Sequence, residues 1–529
     1  MISRGQNFQQ IPINISGSST FGRYPKISIE KTYNMFVSDD FLVPYSGYEI
    51  IASSSLFNNG TIGRGIFTST KYGKLVVVIN QYVYLVDIVY DQNTGTITSE
   101  NIAEIGTLNT TTGIVYITEN NASQILISDN HSLYLYTGSG LVTEIAIDFT
   151  PGYITFHDTY FIAASTGTNE WRLSGSNDGT TWTYSSNTVG VIQTKPDNIQ
   201  AVVRFPSKGN MIFVMGSVVT EAWFNTGAQL FPYQRNNQFN IDYGCVSAAT
   251  VAYMDTVVVW LAQNEKSGPI IMYSDGGMPK KITTDGIDYL LSTLNSPADS
   301  QGFVYRQDGH LFYHINFYSD NLSLFYDFNT DKFYHASDQN LNYFIAAEIA
   351  FIANQYYFVS KNTGNLYAFD TSYTTYQDVL VNTNTVEYTF QIPRIRICKN
   401  IRLPSQEYFV ANDVGFTIES GETDYYQQSL GQAYLTTQDG DFLTTQDGYY
   451  LVTNQDIPVY TTPRVFLSVS YDGGATFGNE WVYNLPGIGY RRNRLMWWQC
   501  GIANDFVTQF RFQSIGRFVC TDGICNIRI

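Results

Sequence analysis

The chain has 529 residues, of which 14% are charged and 16% aromatic, with 41 tyrosines and 34 phenylalanines. Because aromatic side chains fit the pleated, half-buried surface of a strand, this composition predicts an all-β protein and argues against long helices. The formal net charge of −17 disfavours a protein that coats nucleic acid, since such binding depends on Lys and Arg contacts with phosphates.

The first segment, residues 1–60, is predicted to be an arm or a lid. Gly17, Gly22 and Pro25 interrupt its few apolar runs, and Pro44 and Gly47 do so further on. We therefore expect it to wrap over other strands instead of forming its own core. The first ten residues lack the apolar centre of a signal peptide, and no run reaches the roughly 18 apolar residues of a membrane span. We expect a soluble protein, made in a cytoplasm and without stable membrane insertion.

Residues 61–375 repeat one short phrase, in which an apolar run, a tight polar turn and a second run rich in Tyr and Leu follow each other. The phrases begin about 46 residues apart on average, close to the four-strand repeat of a β-propeller blade. We predict a β-propeller of about seven blades, with six or eight as the alternatives. The seven phrases are residues 75–87, 124–136, 153–164, 211–224, 256–273, 311–327 and 351–370.

Residues 376–529 are predicted to form a β-sandwich-like C-terminal domain. Inside it, residues 434–456 repeat with a period of eight, placing aliphatic residues at Leu435, Leu443 and Leu451 between Asp-Gly turns. Such turns favour tight hairpins. Two interpretations stay open: a structural stack of hairpins, or a projecting element that contacts a partner.

Two stretches resemble the Asp-box hairpin, in which Asp and Ser side chains satisfy turn amides, Gly supplies positive φ and an aromatic residue anchors the turn. Such hairpins occur in sialidase-type propellers and in many non-enzymes, so we interpret both as structural. The full pattern falls on Ser470, Asp472, Gly474, Thr476 and Phe477, and a shortened form on Asp178, Gly179 and Trp182.

The sequence offers little catalytic or metal-binding chemistry. Among the histidines only His310 and His314 are close, and a separation of four residues on a strand places them about 13 Å apart, too far for one metal. The carboxylate pairs Asp242 with Asp255 and Glu419 with Glu422 are interpreted as solvated turn residues, although a glycosidase pair need not be close in sequence. We predict no enzyme, no metal and no cofactor. The other histidines are His131, His157 and His335, and the five cysteines, expected to be buried free thiols, are Cys245, Cys398, Cys500, Cys520 and Cys525.

A series of short motifs in residues 150–337 resembles one family of phage proteins. In chain order the motifs include Gly167-Thr168-Asn169-Glu170-Trp171, Glu221-Ala222-Trp223, Tyr243-Gly244-Cys245, Gly277-Met278-Pro279 and Gly309-His310-Leu311-Phe312-Tyr313. This order is similar to that of the packaged DNA stabilisation proteins, the tail hub or stopper proteins of short-tailed bacteriophages. Asn504 stands where the family often has Arg, and Phe333 where Trp is usual, so no contact is transferred to those positions.

The resemblance implies a structural virion protein that forms a sixfold ring below the portal and its adaptor. Such a ring closes the DNA channel after packaging, holds the tail needle, fibres or spikes, and forms part of the ejection conduit. The expected partners are copies of the same chain, the adaptor and the needle or fibres, while DNA passes through the lumen without sequence-specific binding. The expected location is the virion tail, assembled in the bacterial cytoplasm. A receptor-binding or adhesin tail protein and a propeller glycosidase are the alternative functions.

Overall fold

The chain is all-β and divides into two compact units. The propeller unit comprises Gly17–Ser38 and Tyr45–Lys399, and the terminal unit comprises Met1–Ser16, Asp39–Pro44 and Asn400–Ile529. The first 60 residues are thus shared between the two units. The structure is a computed structural model that describes residues 8–23, 30–90, 97–205, 208–379, 387–420, 433–434, 452–453, 463–485, 492–513 and 517–529.

Six blades of the propeller are each built from one continuous run of chain, with antiparallel strands ordered from the inside outwards. Blade 1 contains Gly63–Ser69, Lys74–Ile79, Tyr82–Tyr90 and Ile97–Thr107. Blade 2 contains Tyr116–Glu119, Ile125–Ser128, Leu133–Tyr136 and Thr143–Ile145, and blade 3 contains Pro151–His157, Tyr160–Ser165, Glu170–Leu173 and Val189–Val191. Blade 4 contains Ile199–Arg204, Met211–Gly216, Thr220–Asn225 and Tyr233–Ile241. Blade 5 contains Gly244–Cys245, Ala252–Met254, Val257–Gln263, Ile270–Ser274 and Lys280–Lys281, and blade 6 contains Ser300–Gln307, His310–Phe317, Leu322–Asp327 and Lys332–Ala336.

The circle is completed by a composite blade. Its strands Ala346–Ile352, Gln355–Ser360 and Thr363–Asp370 take their fourth neighbour, Gly47–Ala52, from a segment that precedes blade 1. The composite blade contacts both blade 6 and blade 1. The predicted count of about seven blades is therefore corrected to six continuous blades and one composite blade. Hairpin spacing could not reveal this, because the fourth strand lies far away in sequence.

Alternation along the strands explains how the blades pack. In the strand Lys74–Ile79 of blade 1, Val76 and Val78 pack against blade 2, whereas Leu75, Val77 and Ile79 pack against the composite blade. Since successive side chains of a strand point to opposite faces, a strand between two sheets must be apolar on both. The continuous apolar run 75–79 thus follows from burial on both sides.

Further strands of the propeller unit lie outside the blades. Lys31–Tyr33 pairs in parallel with Lys332–Ala336 of blade 6 and antiparallel with Arg394–Ile397, which extends that blade outwards. Thr375–Val379 pairs with Gly47–Ala52 and with Glu387–Gln391, which extends the composite blade. The remaining elements of this unit are the strand Met35–Ser38, the α-helix Asp285–Ser292 and the 3-10 turns Ser54–Leu56 and Ala248–Thr250.

The terminal unit contains two β-sheets whose aromatic residues pack together, in agreement with the predicted sandwich-like fold. Phe416 on the central strand of the first sheet lies 5.0 Å from Phe510 of the second, measured between ring centroids. The first sheet contains Phe8–Ile13, Gly523–Arg528, Phe409–Glu419, Val519–Cys520, Phe41–Pro44 and Arg492–Ala503. The second contains Val507–Gln513, Arg464–Ser470 and Trp481–Asn484.

Candidate functional site

A central cavity of about 410 Å³ lies in the propeller unit. Its walls come from the inner strands of several blades, because these strands converge where the blades meet. Beside its apolar residues, the lining contains three tyrosines, three threonines, one glutamine and one carboxylate. They are Tyr116, Tyr153, Tyr253, Thr68, Thr118, Thr155, Gln301 and Glu348.

Glu348 lies on the inner strand of the composite blade, between Ala347 and Ile349. Its Oε2 accepts a hydrogen bond of 3.2 Å from the backbone amide of Ile66 in blade 1. The neighbouring Gly65 permits the close approach of blade 2, since a Cβ there would lie 2.8 Å from the Val115 carbonyl oxygen. Burial raises the pKa of the Glu348 carboxyl to about 8, because desolvation disfavours the charged form.

No sequence pattern marks Glu348 as a site residue. An isolated Glu carries no motif, and its neighbours are ordinary strand residues. Glu348 is unusual because it is a charged residue on the innermost strand of a blade, where the neighbouring positions are mostly apolar. Which strand is innermost follows only from the order of the blades, which the sequence does not give.

The tyrosines of the cavity are held by contacts between blades. Tyr116 of blade 2 and Tyr153 of blade 3 have ring centroids 4.9 Å apart. Burial raises the pKa of both hydroxyls above the ordinary value, so both rings stay neutral at physiological pH. Tyr253 of blade 5 carries the guanidinium of Arg204 against its ring, 5.1 Å from the centroid.

The full Asp box lies between Arg464–Ser470 and Trp481–Asn484 of the terminal unit. Ser470 Oγ donates to Asp472 Oδ1 over 2.6 Å and accepts the amide of Gly474 over 2.8 Å. Asp472 accepts the amide and the hydroxyl of Thr476 over 2.9 and 2.7 Å, and these bonds hold the pKa of its carboxyl well below the usual range. Gly474 has φ of 91°, while Phe477 is half-buried. The hydrogen bonds of Ser470 and Asp472 are thus made within the turn, whereas Tyr471 Oη donates outside it to the Cys500 carbonyl over 2.9 Å.

The shortened box connects the third and fourth strands of blade 3. Asp178 accepts hydrogen bonds from Thr180 and Thr181, each of 2.6 Å from a hydroxyl. Gly179 is buried, and its amide donates to Gln124 Oε1 of blade 2 over 2.9 Å. Trp182 Nε1 donates back to the Gly179 carbonyl over 2.8 Å. This hairpin therefore ties blade 3 to blade 2.

The predicted histidines are dispersed, and each has its own local partner. His314 bonds to Tyr45 and Asn316, whereas His310 bonds to Asp327. The remaining partners are Ser132 for His131, Tyr233 for His157 and Ser19 for His335. Among the described residues, no three His, Cys, Asp or Glu side chains are grouped as a metal site. The five cysteines are free and buried, as predicted.

The carboxylates that the sequence offered as acid and base pairs face different cations. Asp242 lies 3.6 Å from Lys195, and Asp255 lies 2.5 Å from Arg306. Glu419 lies 3.7 Å from Arg492, and Glu422 lies outside the described residues. Asp242 and Asp255 are thus each engaged in a separate ion pair.

The eight-residue repeat falls almost entirely outside the described residues. Leu435, Leu443 and Leu451 are among the positions that the structure does not describe. At its two ends, Ala433–Tyr434 pairs antiparallel with Val452–Thr453. The role of the repeat stays a prediction.

The chain was compared with known protein families and structures. A family model described as bacteriophage P22 Gp10, beta-propeller, matches residues 57–374, more than half of the chain. No individually curated protein matches the sequence. The N-terminal domain of Nup159 is similar at 9% identity and a TM-score of 0.39, covering 63% of this chain and 96% of that one.

Two further solved structures have comparably low sequence identity and TM-scores. The extracellular domain of the putative one component system BT4673 from B. thetaiotaomicron has 11% identity and a TM-score of 0.40, covering 61% of this chain and 39% of that one. A fungal alcohol oxidase of the AA5 family, in complex with copper, has 11% identity and a TM-score of 0.38, covering 88% and 98%. Similarities this distant carry no argument about function. Within the described residues, no helix is long and apolar enough to cross a membrane.

Proposed function

Because the chain belongs to the family of the bacteriophage P22 Gp10 β-propeller, the packaged DNA stabilisation protein, we propose that it is a tail hub of a short-tailed phage. In this role it forms a sixfold ring below the portal and the adaptor, closes the DNA channel after packaging and lines part of the ejection conduit. The observation that carries the proposal is the family match, which spans the blades from residue 57 to residue 374. A structural phage family also favours a non-enzymatic role.

A row of exposed apolar side chains supports contacts with other subunits. In blades 2 to 5, the connection between the last two strands carries one large exposed apolar residue. Since successive strands of each blade are antiparallel, these connections lie on the same face of the propeller, towards its rim. Large apolar residues grouped on one face are typical of protein contact surfaces. They are Leu141, Tyr184, Leu230 and Met278, with exposed fractions of 65, 60, 73 and 51%.

This apolar rim gives a direct test of ring formation. Leu230→Asp places a charge in the most exposed member, and we expect it to shift the purified chain from rings towards single copies. Leu56→Asp is the matched control, since Leu56 is also exposed, at 55%, but lies outside blades 2 to 5. Mass photometry of both variants measures the ring fraction. An unchanged ring fraction in Leu230→Asp would show that the apolar rim does not take part in the interface between subunits.

The acidic balance of the chain fits a conduit for DNA. A formal net charge of −17 would repel phosphates from the ring wall and limit adhesion of the exiting genome. We propose that the lumen of the ring is acidic. A ring structure with a net positive lumen would contradict this point while leaving the tail position intact.

The adaptor, the needle or fibres, and neighbouring copies of the chain are the proposed partners. Mixing the purified chain with adaptor rings, and separately with host cells, distinguishes the hub from the adhesin. The hub is expected to sediment with adaptor rings and to leave cells unlabelled. Binding to cells without binding to the adaptor would favour the receptor-binding function instead.

A further inference from the structure

Glu348 is a carboxylate with little compensation from the protein. Its one hydrogen bond among the described residues comes from the Ile66 amide, and no Lys or Arg in that part of the chain forms an ion pair with it. Removing a carboxylate from water is unfavourable unless hydrogen bonds or a cation replace the lost hydration. The half-buried group therefore lines the central cavity, where a cation would stabilise its charged form.

Aromatic rings near Glu348 also favour the binding of a cation. Tyr116 and Tyr153 reach the cavity from blades 2 and 3, whereas the ring of Tyr253, from blade 5, already carries the Arg204 guanidinium. The face of an aromatic ring is electron-rich and attracts a cation that lies within about 6 Å of its centroid. A carboxylate together with tyrosine rings is the kind of surface that recognises an ammonium group.

The donor set favours an organic cation over a metal ion. Divalent metals take several oxygen ligands, whereas no group of three His, Cys, Asp or Glu is found among the described residues. The cavity volume of about 410 Å³ lies in the range of small-molecule sites and admits a short aliphatic chain. An ammonium group carried on such a chain uses both the carboxylate and the apolar wall.

We propose that the central cavity of the propeller unit binds a small alkylammonium ion, of the diamine class, with Glu348 as the counter-ion and the tyrosine rings around the charge. This activity goes beyond the tail role and does not depend on ring formation. The chain alone can therefore be tested. A ring assembled normally by a chain that binds no amine would leave the tail role untouched and overturn the site.

The experiment is calorimetric titration of the full chain with 1,4-diaminobutane at pH 8.5, where most of Glu348 is ionised given its pKa of about 8. We expect saturable binding by the natural sequence and at least about tenfold weaker binding by Glu348→Gln, which keeps the shape and removes the charge. Glu49→Gln is the matched control and should bind unchanged, because Glu49 lies outside the cavity lining on the strand Gly47–Ala52. The uncharged 1,4-butanediol should give no binding.

A second variant tests the aromatic contribution. Tyr153→Leu removes the ring and should bind at least about threefold more weakly than the natural chain, since the attraction comes from the ring face. The melting temperature of Glu348→Gln at pH 8.5 shows that the variant is folded, and we expect it not to fall, because a partly desolvated charge has been removed. Absence of diamine binding by the natural chain, equal binding by Glu348→Gln, or binding of butanediol as tight as that of the diamine would each overturn the proposal.

Discussion

The propeller unit contains a buried histidine whose protonation should control its stability. Tyr45 OH donates to His314 Nδ1 over 3.0 Å, and His314 Nε2 donates to Asn316 Oδ1 over 3.0 Å. Asn316 Nδ2 in turn donates to the Ala346 carbonyl over 2.6 Å. This network joins Tyr45 of the first 60 residues to blade 6 and to the composite blade, and it requires a neutral imidazole.

Burial lowers the pKa of His314 from 6.5 to about 3. The unfolded chain therefore binds a proton that the folded chain does not, at every pH between these two values. Stability is retained above pH 6.5 and is lost as the pH falls below it. Linkage gives about 2 kcal/mol of lost unfolding free energy between pH 7 and pH 5 for this one residue.

The substitution His314→Gln tests this prediction. The glutamine amide can accept a hydrogen bond from Tyr45 and donate one to Asn316, and it does not titrate. Urea denaturation at pH 7 and pH 5, followed by tryptophan fluorescence, gives the unfolding free energy of each chain. Other groups titrate equally in both chains, so the difference in pH dependence isolates His314. We expect the natural chain to lose about 2 kcal/mol more than the variant. His335, whose pKa is also lowered to about 3, should behave in the same way in His335→Gln.

An equal pH dependence in the natural chain and in His314→Gln would refute this reasoning. It would mean that the imidazole is solvated in the folded state, or that the network rearranges on protonation. A loss of stability at pH 7 alone, with parallel pH curves, would assign His314 a packing role only.

Two further predictions concern packing. Gly190→Ala would place a methyl group into the Trp171 indole. We expect the unfolding free energy, measured by urea denaturation, to fall by about 1–3 kcal/mol. Gly209→Ala, which has open space around its Cβ, should leave the unfolding free energy nearly unchanged. Unchanged stability in Gly190→Ala would contradict the close packing of that strand. Arg396→Met removes a fully buried guanidinium that donates to the Ser18 carbonyl over 3.0 Å. We expect proteases other than trypsin to cleave residues 17–23 faster and the unfolding free energy to fall by about 1–3 kcal/mol. Lys399→Met, at an exposed position, should change neither the cleavage rate nor the stability. Equal cleavage rates in the two variants would argue against this anchor.

Much of the fold could be predicted from local patterns. The hairpins at 75–87 and 311–327 contain strands and turns at the predicted places because their apolar runs and turn residues are decided within a few residues. Family motifs between the hairpins likewise gave the correct family. The Asp-box turns at Asp178 and Asp472 carry the internal hydrogen bonds that their residue types imply.

Long-range pairing could not be predicted in the same way. Gly47–Ala52 pairs with Thr363–Asp370, more than 300 residues away, and neither segment carries a signal for the other. Glu348 was missed for a related reason, since its cavity exists only where inner strands of several blades converge. Patterns of period two identify strands, but the partner of an edge strand is decided by the completed sheet.

The most direct test of the tail hub is cryo-electron microscopy of phage tails that contain this chain. If the chain is a tail hub, six copies form a ring between the adaptor and the needle or fibres, with the lumen continuous with the portal channel. Density for the chain only at the tips of fibres, or its absence from the purified tail, would rule out the hub.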